Sequence, residues 1–333
     1  GFDNYIDMAY RIQGRIDYGK DDIISFRDQV LDVITPACAA FEKDHSFDFA
    51  VRIGAVGDIV QIAGTIFHEI SQESSDYIDF IYNHELFDAE PRPNKRPLNC
   101  CCMLAHYKAP FIIGNSRGQG YDVLNFIHEL GHGFAFYTAA RSQKLYDFHR
   151  STVSINEVHS KTLELLVYPY LDLVVGEQKE LFRRNHLYEA LRYIPYRCAI
   201  DEFEHEVYAH TTLTKSQRCE LWREIEQKYM PWQAENRHES VKRGTSWHSQ
   251  PHLFNAPFSY IDYNFAQMSA FEFYGRSKNN YQETWKDYVA FCSKGGSTNY
   301  LRLLEAGRLA NPFSAGTVAD ICSPILIEIT SYI

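Results

Sequence analysis

Residues 121–141 read YDVLNFIHELGHGFAFYTAAR, and the fold follows from this stretch. Val123, Leu124, Ile127, Leu130 and Phe134 recur at three- and four-residue spacing, the period of one buried helix face. On such a helix His128 and His132 lie one turn apart on the same side. Two imidazoles so placed can both reach one Zn2+ at about 2.0–2.1 Å. Glu129 is rotated by about 100° from His128, which aims its carboxylate at the metal's open position rather than at its protein side. There it can take a proton from an attacking water.

The run His128-Glu129-Leu130-Gly131-His132 has the HExxH spacing of metallopeptidases. His-Glu also occurs at His68, His84, His205 and His238, none followed by a second His at that distance. His205 and His210 are five apart, which separates the imidazoles around a helix, so they read as surface or core histidines. Composition alone yields HExxH in roughly a few per cent of chains this long, so context must carry part of the argument. Gly131 and Gly133 supply some of it. Each costs a helix interior about 1 kcal/mol relative to Ala, which is explained if something approaches the backbone closely there.

A zinc hydrolase needs a third protein ligand and a free fourth position. The segment SINEVHSKTLELL, from Ser154, offers Glu157, His159 and Glu164. Glu157 with Ser154 forms the S-x-x-E capping pattern, the bland alternative to ligation. Its place near the start of the next helix, with Ile155, Val158, Leu163 and Leu166 available for packing, suits a hairpin that presents it to His128 and His132. Glu164, two turns on and nearly on the same face, is placed to orient a ligand imidazole; plain solvation is its alternative.

The remaining chain sets bounds. Its 333 residues, 45% apolar and 23% charged, have globular composition and room for a large core in one or two domains. The balance of 33 Lys+Arg against 43 Asp+Glu, net −10, argues against a general polyanion binder, and the basic runs at Arg92–Arg96 and Arg183-Arg184 are short. No nucleic-acid partner is expected. No run of about 18 uncharged apolar residues exists, and the stretch Leu163–Val175 is interrupted by Glu164, Pro169 and Asp172, so no membrane span is expected either. The start, GFDNYIDMAYR, lacks both an initiator Met and a signal-peptide layout, and reads as a processed or artificial end. Eight cysteines without a CxxC pair, three of them adjacent at Cys100–Cys102, read as free thiols in a reducing cytoplasm.

Helical spacing predicts helices near 20–43, 57–87, 121–141, 154–172, 176–193, 198–210, 214–229, 257–276, 281–294, 298–307 and 316–331. Thr214 or Ser216 is a candidate cap, and Pro257 suits a first helical turn. Cys101–Tyr107 and Ala109–Asn115 read as extended and able to pair before the Gly-rich turn Ser116–Gly120. The expectation is a mainly α body with a small β-sheet beside the motif helix, residues 1–333 forming a single domain.

HisGluLeuGlyHis followed by Glu157 in AsnGluValHisSer resembles the zinc oligopeptidases of the oligoendopeptidase F and thimet oligopeptidase group. Further blocks resemble the oligoendopeptidase F branch: DEFEH at 201–205, KYMPW at 228–232, HLFNAPFSYIDYNFAQ at 252–267, GGS at 295–297 and NPF at 311–313. The resemblance implies that His128, His132 and Glu157 hold one Zn2+ per chain and that Glu129 is the general base. It implies that His252, Tyr260 and Tyr263 support the tetrahedral oxyanion. Tyr260 and Tyr263, three apart, are expected on the helix after Pro257, with core packing as their alternative. It also implies peptide backbone binding along a sheet edge, mapped to Ala109–Asn115 with Gly118 and Gly120. Ser259 stands where a third Tyr is common, and Cys100–Cys102 replaces a segment that is often Gly-rich.

The function this implies is a zinc-dependent endopeptidase acting on short unstructured peptides in the cytoplasm. A carboxypeptidase or dipeptidyl carboxypeptidase on the same scaffold, and a catalytically inactive peptide-binding protein, are the alternatives. The group usually carries a further N-terminal region, so a natural short form, a processed fragment and one piece of a two-chain enzyme stay open. So does a homo-oligomer.

Overall fold

The computed structural model describes residues 1–43, 54, 58–96, 98–235 and 238–331. Helices dominate it, and one small sheet packs on the motif helix. A helix absent from the sequence reading, α1 (Tyr5–Ile12), is capped by Asn4, whose side chain accepts from the Asp7 N–H. Helix α2 (Lys20–Lys43) forms as expected. The helix expected over 57–87, whose first residue lies outside the described ones, is instead two, α3 (Ile59–Ile70) and α4 (Gln72–Asn83). Ser71 divides them, because its hydroxyl accepts from the Ser74 N–H while the Ser74 hydroxyl accepts from the Ser71 N–H.

Strands β1 (Phe87–Asp88), β2 (Cys100–Leu104) and β3 (Ala109–Ile113) form a sheet in the order β1-β3-β2. β2 and β3 pair antiparallel with Cys102 opposite Phe111, as their extended character implies, and β1 runs parallel to β3. The strands are shorter than the stretches read from sequence, because Ala105–Tyr107 winds into a 3-10 turn and Lys108 reverses the chain at φ 49°. The topology corrects one expectation. β3 is the central strand, so the open edge beside the motif helix belongs to β2 and not to Ala109–Asn115.

Helix α5 (Gly120–Ser142) carries the motif, and α6 (Val153–Leu166) follows it. Thr152 is the N-cap residue of α6, with Ser154 already inside the first turn, so the S-x-x-E pattern makes no capping box and Glu157 is free of that role. The helix expected to run to residue 172 stops at Leu166, where a turn containing Pro169 leads to α7 (Leu171–Val175). In α8 (Lys179–Ala209) the two helices expected over 176–193 and 198–210 are continuous, with Pro195 buried inside. Tertiary packing overrides the local breaker there. Helix α9 (Lys215–Tyr229) starts on Thr214, which forms a capping box with Gln217. Short helices α10 (Glu239–Lys242) and α11 (His252–Asn255) precede α12 (Asp262–Asn279), α13 (Tyr281–Lys294), α14 (Tyr300–Ala306) and α15 (Thr317–Thr330).

α6 lies between α5 and α12, and α13 backs α5. A Cβ at Gly131 would stand 2.8 Å from Ser160 Cα, and one at Gly133 would stand 2.2 Å from the Tyr77 hydroxyl oxygen. The two glycines therefore admit the α6 backbone and the Tyr77 ring, whose hydroxyl donates to the Leu130 carbonyl at 3.1 Å. Buried apolar side chains from Ala9 to Ile329 form one connected cluster. Two buried ion pairs, Arg15–Asp262 at 2.9 Å and Arg27–Asp201 at 3.2 Å, tie the N-terminal segment to the start of α12 and to α8. Among the described residues no helix is long and apolar enough to cross a membrane.

Candidate active site

The close approach of α5 and α6 at Gly131 decides what faces what. His128 Nε2 lies 3.4 Å from one Glu157 oxygen and His132 Nε2 lies 3.7 Å from the other. The imidazoles stand perpendicular, with ring centres 4.8 Å apart. One donor atom from each of the three residues falls within 4.8 Å of the other two, the one such cluster among the described residues. Two imidazoles and a carboxylate form a donor set that suits zinc, and its convergence fits a divalent cation better than three unrelated side chains.

Glu164 stands behind His128. One of its oxygens accepts from His128 Nδ1 at 2.5 Å, and the other lies 3.0 Å from His186 Nε2. His186 in turn meets the Tyr168 hydroxyl through Nδ1 at 2.6 Å. With Nδ1 engaged, His128 turns Nε2 toward Glu157. Burial pushes the Glu164 carboxyl up, but hydrogen bonds from His128 and His186 outweigh it and hold it well below the usual range. Burial also pushes His128 down, and the Glu164 contact more than reverses this. His132 has the Asn156 backbone, not a second carboxylate, as its hydrogen-bond partner. Burial lowers it to about 4, against the charge of Glu157, so its imidazole is neutral at pH 7 as ligation requires.

Glu129 is 8% exposed beside these donors, with the backbone of Cys101 on β2 against it. Burial raises its carboxyl to about 7, with His128 pulling it down and Glu157 and Glu164 pushing it up. Two cavities meet here. One, of about 440 Å3, is lined by His128, Glu129, His132, Glu157, Tyr263 and the β2 residues Cys100, Cys101 and Met103. The other, of about 680 Å3, shares Asn99, His128 and Glu129 with it and continues past Glu164 and His186. His128 and Glu129 thus stand where the two cavities adjoin, with His132 and Glu157 on the smaller one.

His252, Tyr260 and Tyr263 form one group, with ring centres 4.7 Å apart for His252–Tyr260 and 5.7 Å for both other pairs. Only Tyr263 lies on α12. Tyr260 belongs to the turn before it, because the chain at Pro257 does not yet enter the helix and Phe258 adopts φ 64°. The Phe258 N–H donates to Glu204 at 2.8 Å, and Arg15 donates to the Phe258 carbonyl, so the unusual backbone is held from both sides. Burial, and then the Glu157 charge, push the Tyr263 phenol up, so it stays protonated and able to donate. Burial, and then Arg197, push His252 down; its Nδ1 lies 2.8 Å from Gln250 Oε1. Gly118, at φ 81°, and Gly120, the first residue of α5, lie outside the lining of both cavities.

The family model described as peptidase family M3 matches residues 64–321. The chain belongs to peptidase family M3. Among solved structures it is similar to PZ peptidase A with an inhibitor, at TM-score 0.93 and 32% identity, covering 99% of this chain and 62% of that one. It is also similar to a protein described as an oligoendopeptidase F from Bacillus anthracis str. Ames, at TM-score 0.86 and 29% identity, with 99% and 60% covered. The chain therefore spans less than two thirds of the length of these relatives. Comparison with curated proteins gives no match.

His186 and Tyr168, which extend the contact from Glu164, escaped the sequence reading. A lone His on a helix and a Tyr in a turn carry no spacing signal, and only the fold brings them to Glu164.

Proposed function

We propose that this M3 family chain is a zinc-dependent endopeptidase that hydrolyses short unstructured peptides. The observation that carries the proposal is the convergence of His128, His132 and Glu157 within 4.8 Å, with Glu129 on the same cavity. These three residues would hold one Zn2+ per chain. A zinc ion there supplies Lewis acidity to a water and to the scissile carbonyl. Glu129 takes the proton of the attacking water on its carboxylate and passes it to the leaving amine. Tyr263, protonated and on the cavity wall, offers its phenol to the developing oxyanion, with Tyr260 and His252 grouped behind it. Glu164 fixes the ring orientation of His128.

The continuation of the cleft on both sides of the cluster favours cleavage of internal bonds over removal of a terminal residue. Backbone pairing of the peptide falls to the β2 edge, whose Cys100, Cys101 and Met103 line the cavity. The described chain acts as one catalytic domain. All eight cysteines are unpaired, four of them buried, which suits the reducing cytoplasm.

A quenched fluorescent peptide with both ends blocked tests the proposal. Cleavage that chelator abolishes and zinc restores is the expected result. Turnover only of peptides with a free C-terminus would assign a carboxypeptidase, and chelator-resistant cleavage would remove the metal from the account.

A further inference from the structure

The larger cavity beside the cluster is lined by two cations, Lys161 and Arg197, that form no ion pair among the described residues. Lys161 follows Glu157 by one turn on α6, and its ammonium makes no hydrogen bond or ion pair among the described residues. Its Nζ stands over the Tyr263 ring, 5.9 Å from the ring centre. Arg197 on α8 is 9% exposed. Its Nη1 donates to Asn264 Oδ1 at 3.4 Å, and among the described residues its buried Nε has no partner and it forms no ion pair. Three π faces hold the guanidinium instead: Tyr193 at 5.4 Å, and Tyr260 and Tyr263 each at 5.7 Å. Aromatic faces locate a cation without cancelling its charge.

Two of the acidic groups near this cavity have other partners at closer range. Glu164 is taken by His128 and His186, and Glu157 faces His128, His132 and Ser160. Glu189 also lines this cavity, where its charge pushes the Tyr121 and Tyr193 phenols up. Burial, and then the Arg197 charge, push the Lys161 ammonium down, and the charges of Glu164 and Glu157 offset this only in part. Leaving two charges desolvated and unpaired is costly unless a ligand supplies the counter-charge.

We infer that Lys161 and Arg197 form a carboxylate-recognition site for the peptide, seated in the cavity that continues from His128 and Glu129. The fork of Arg197 and the point charge of Lys161 suit one carboxylate approached from two sides. That carboxylate is either the C-terminus of the peptide or an Asp or Glu side chain near the cleaved bond. The inference rests on the peptidase reading above and adds what the site selects.

The test compares three kinds of peptide built on one parent sequence: an amidated neutral form, the same form with a free C-terminus, and a series of amidated forms with a single Glu at successive positions. kcat and KM are measured for each on the wild-type chain, and dissociation constants on the Glu129→Gln chain, which separates binding from turnover. One carboxylate position should be preferred by about tenfold or more, the factor of one charge-assisted hydrogen bond, mainly in KM and the dissociation constant. Which arm shows it names the source. The factor should vanish in Lys161→Gln and in Arg197→Gln, and Lys161→Arg should retain it, which controls for folding.

Cleavage with no carboxylate preference, or a preference that survives both Gln variants, overturns this inference and leaves the peptidase reading standing. Carboxylate-dependent binding without cleavage overturns the peptidase reading alone, and neither binding nor cleavage overturns both.

Discussion

His128 Nδ1 and Glu164 Oε1 lie 2.5 Å apart, on two helices that touch through the backbone at Gly131. The contact decides which nitrogen of His128 is left to face Glu157 and the cavity. Glu164→Gln keeps the shape but weakens the acceptor, and should lower zinc affinity about 10- to 100-fold. Chelator competition, with circular dichroism confirming the fold, measures it. Unchanged affinity would show that Glu164 does not position the ring.

Replacing Gly131 or Gly133 by Ala sets two effects against each other. Helix propensity alone favours Ala by about 1 kcal/mol. The new Cβ, however, would meet Ser160 Cα at 2.8 Å or the Tyr77 hydroxyl at 2.2 Å. Overpacking of about 1–3 kcal/mol should win, so both variants should be less stable in urea. A gain in stability at either position would mean that the helices are not in this close contact.

Away from the site, Asp201 is fully buried and shared by Arg27 at 3.2 Å and His205 at 3.3 Å. Burial pushes its carboxyl up, but His205, then Arg27 and Arg15, hold it below its ordinary range. A depressed carboxyl contributes stability above its unfolded value, near pH 4, and loses it as the pH falls through the folded value. Asp201→Asn leaves Arg27 buried and unpaired, which costs about 3–5 kcal/mol at pH 7. The difference from wild type should shrink as unfolding is repeated below about pH 4. A difference that stays constant with pH would contradict the assigned charge state.

Much of this was legible in the chain, for definable reasons. His128, Glu129 and His132 share one helix, so their spacing alone fixes their relation, and Glu157 follows on the adjacent helix at hairpin distance. Local signals misled where tertiary structure decides. Pro195 does not break α8, and Phe258 delays α12 until Asp262, which moves Tyr260 off the helix. Strand order is a non-local property, so the central position of β3 could not be read from its apolar run. Lys161, His186 and Arg197 acquire meaning only from what the fold sets beside them.

The central claim is that His128, His132 and Glu157 hold a zinc ion while Glu129 moves the proton. Metal content and peptide turnover, measured together on wild-type and Glu129→Gln chains, test it most directly. The account predicts one zinc per chain in both and near-complete loss of cleavage in the variant. Cleavage that persists in Glu129→Gln with zinc bound would contradict it.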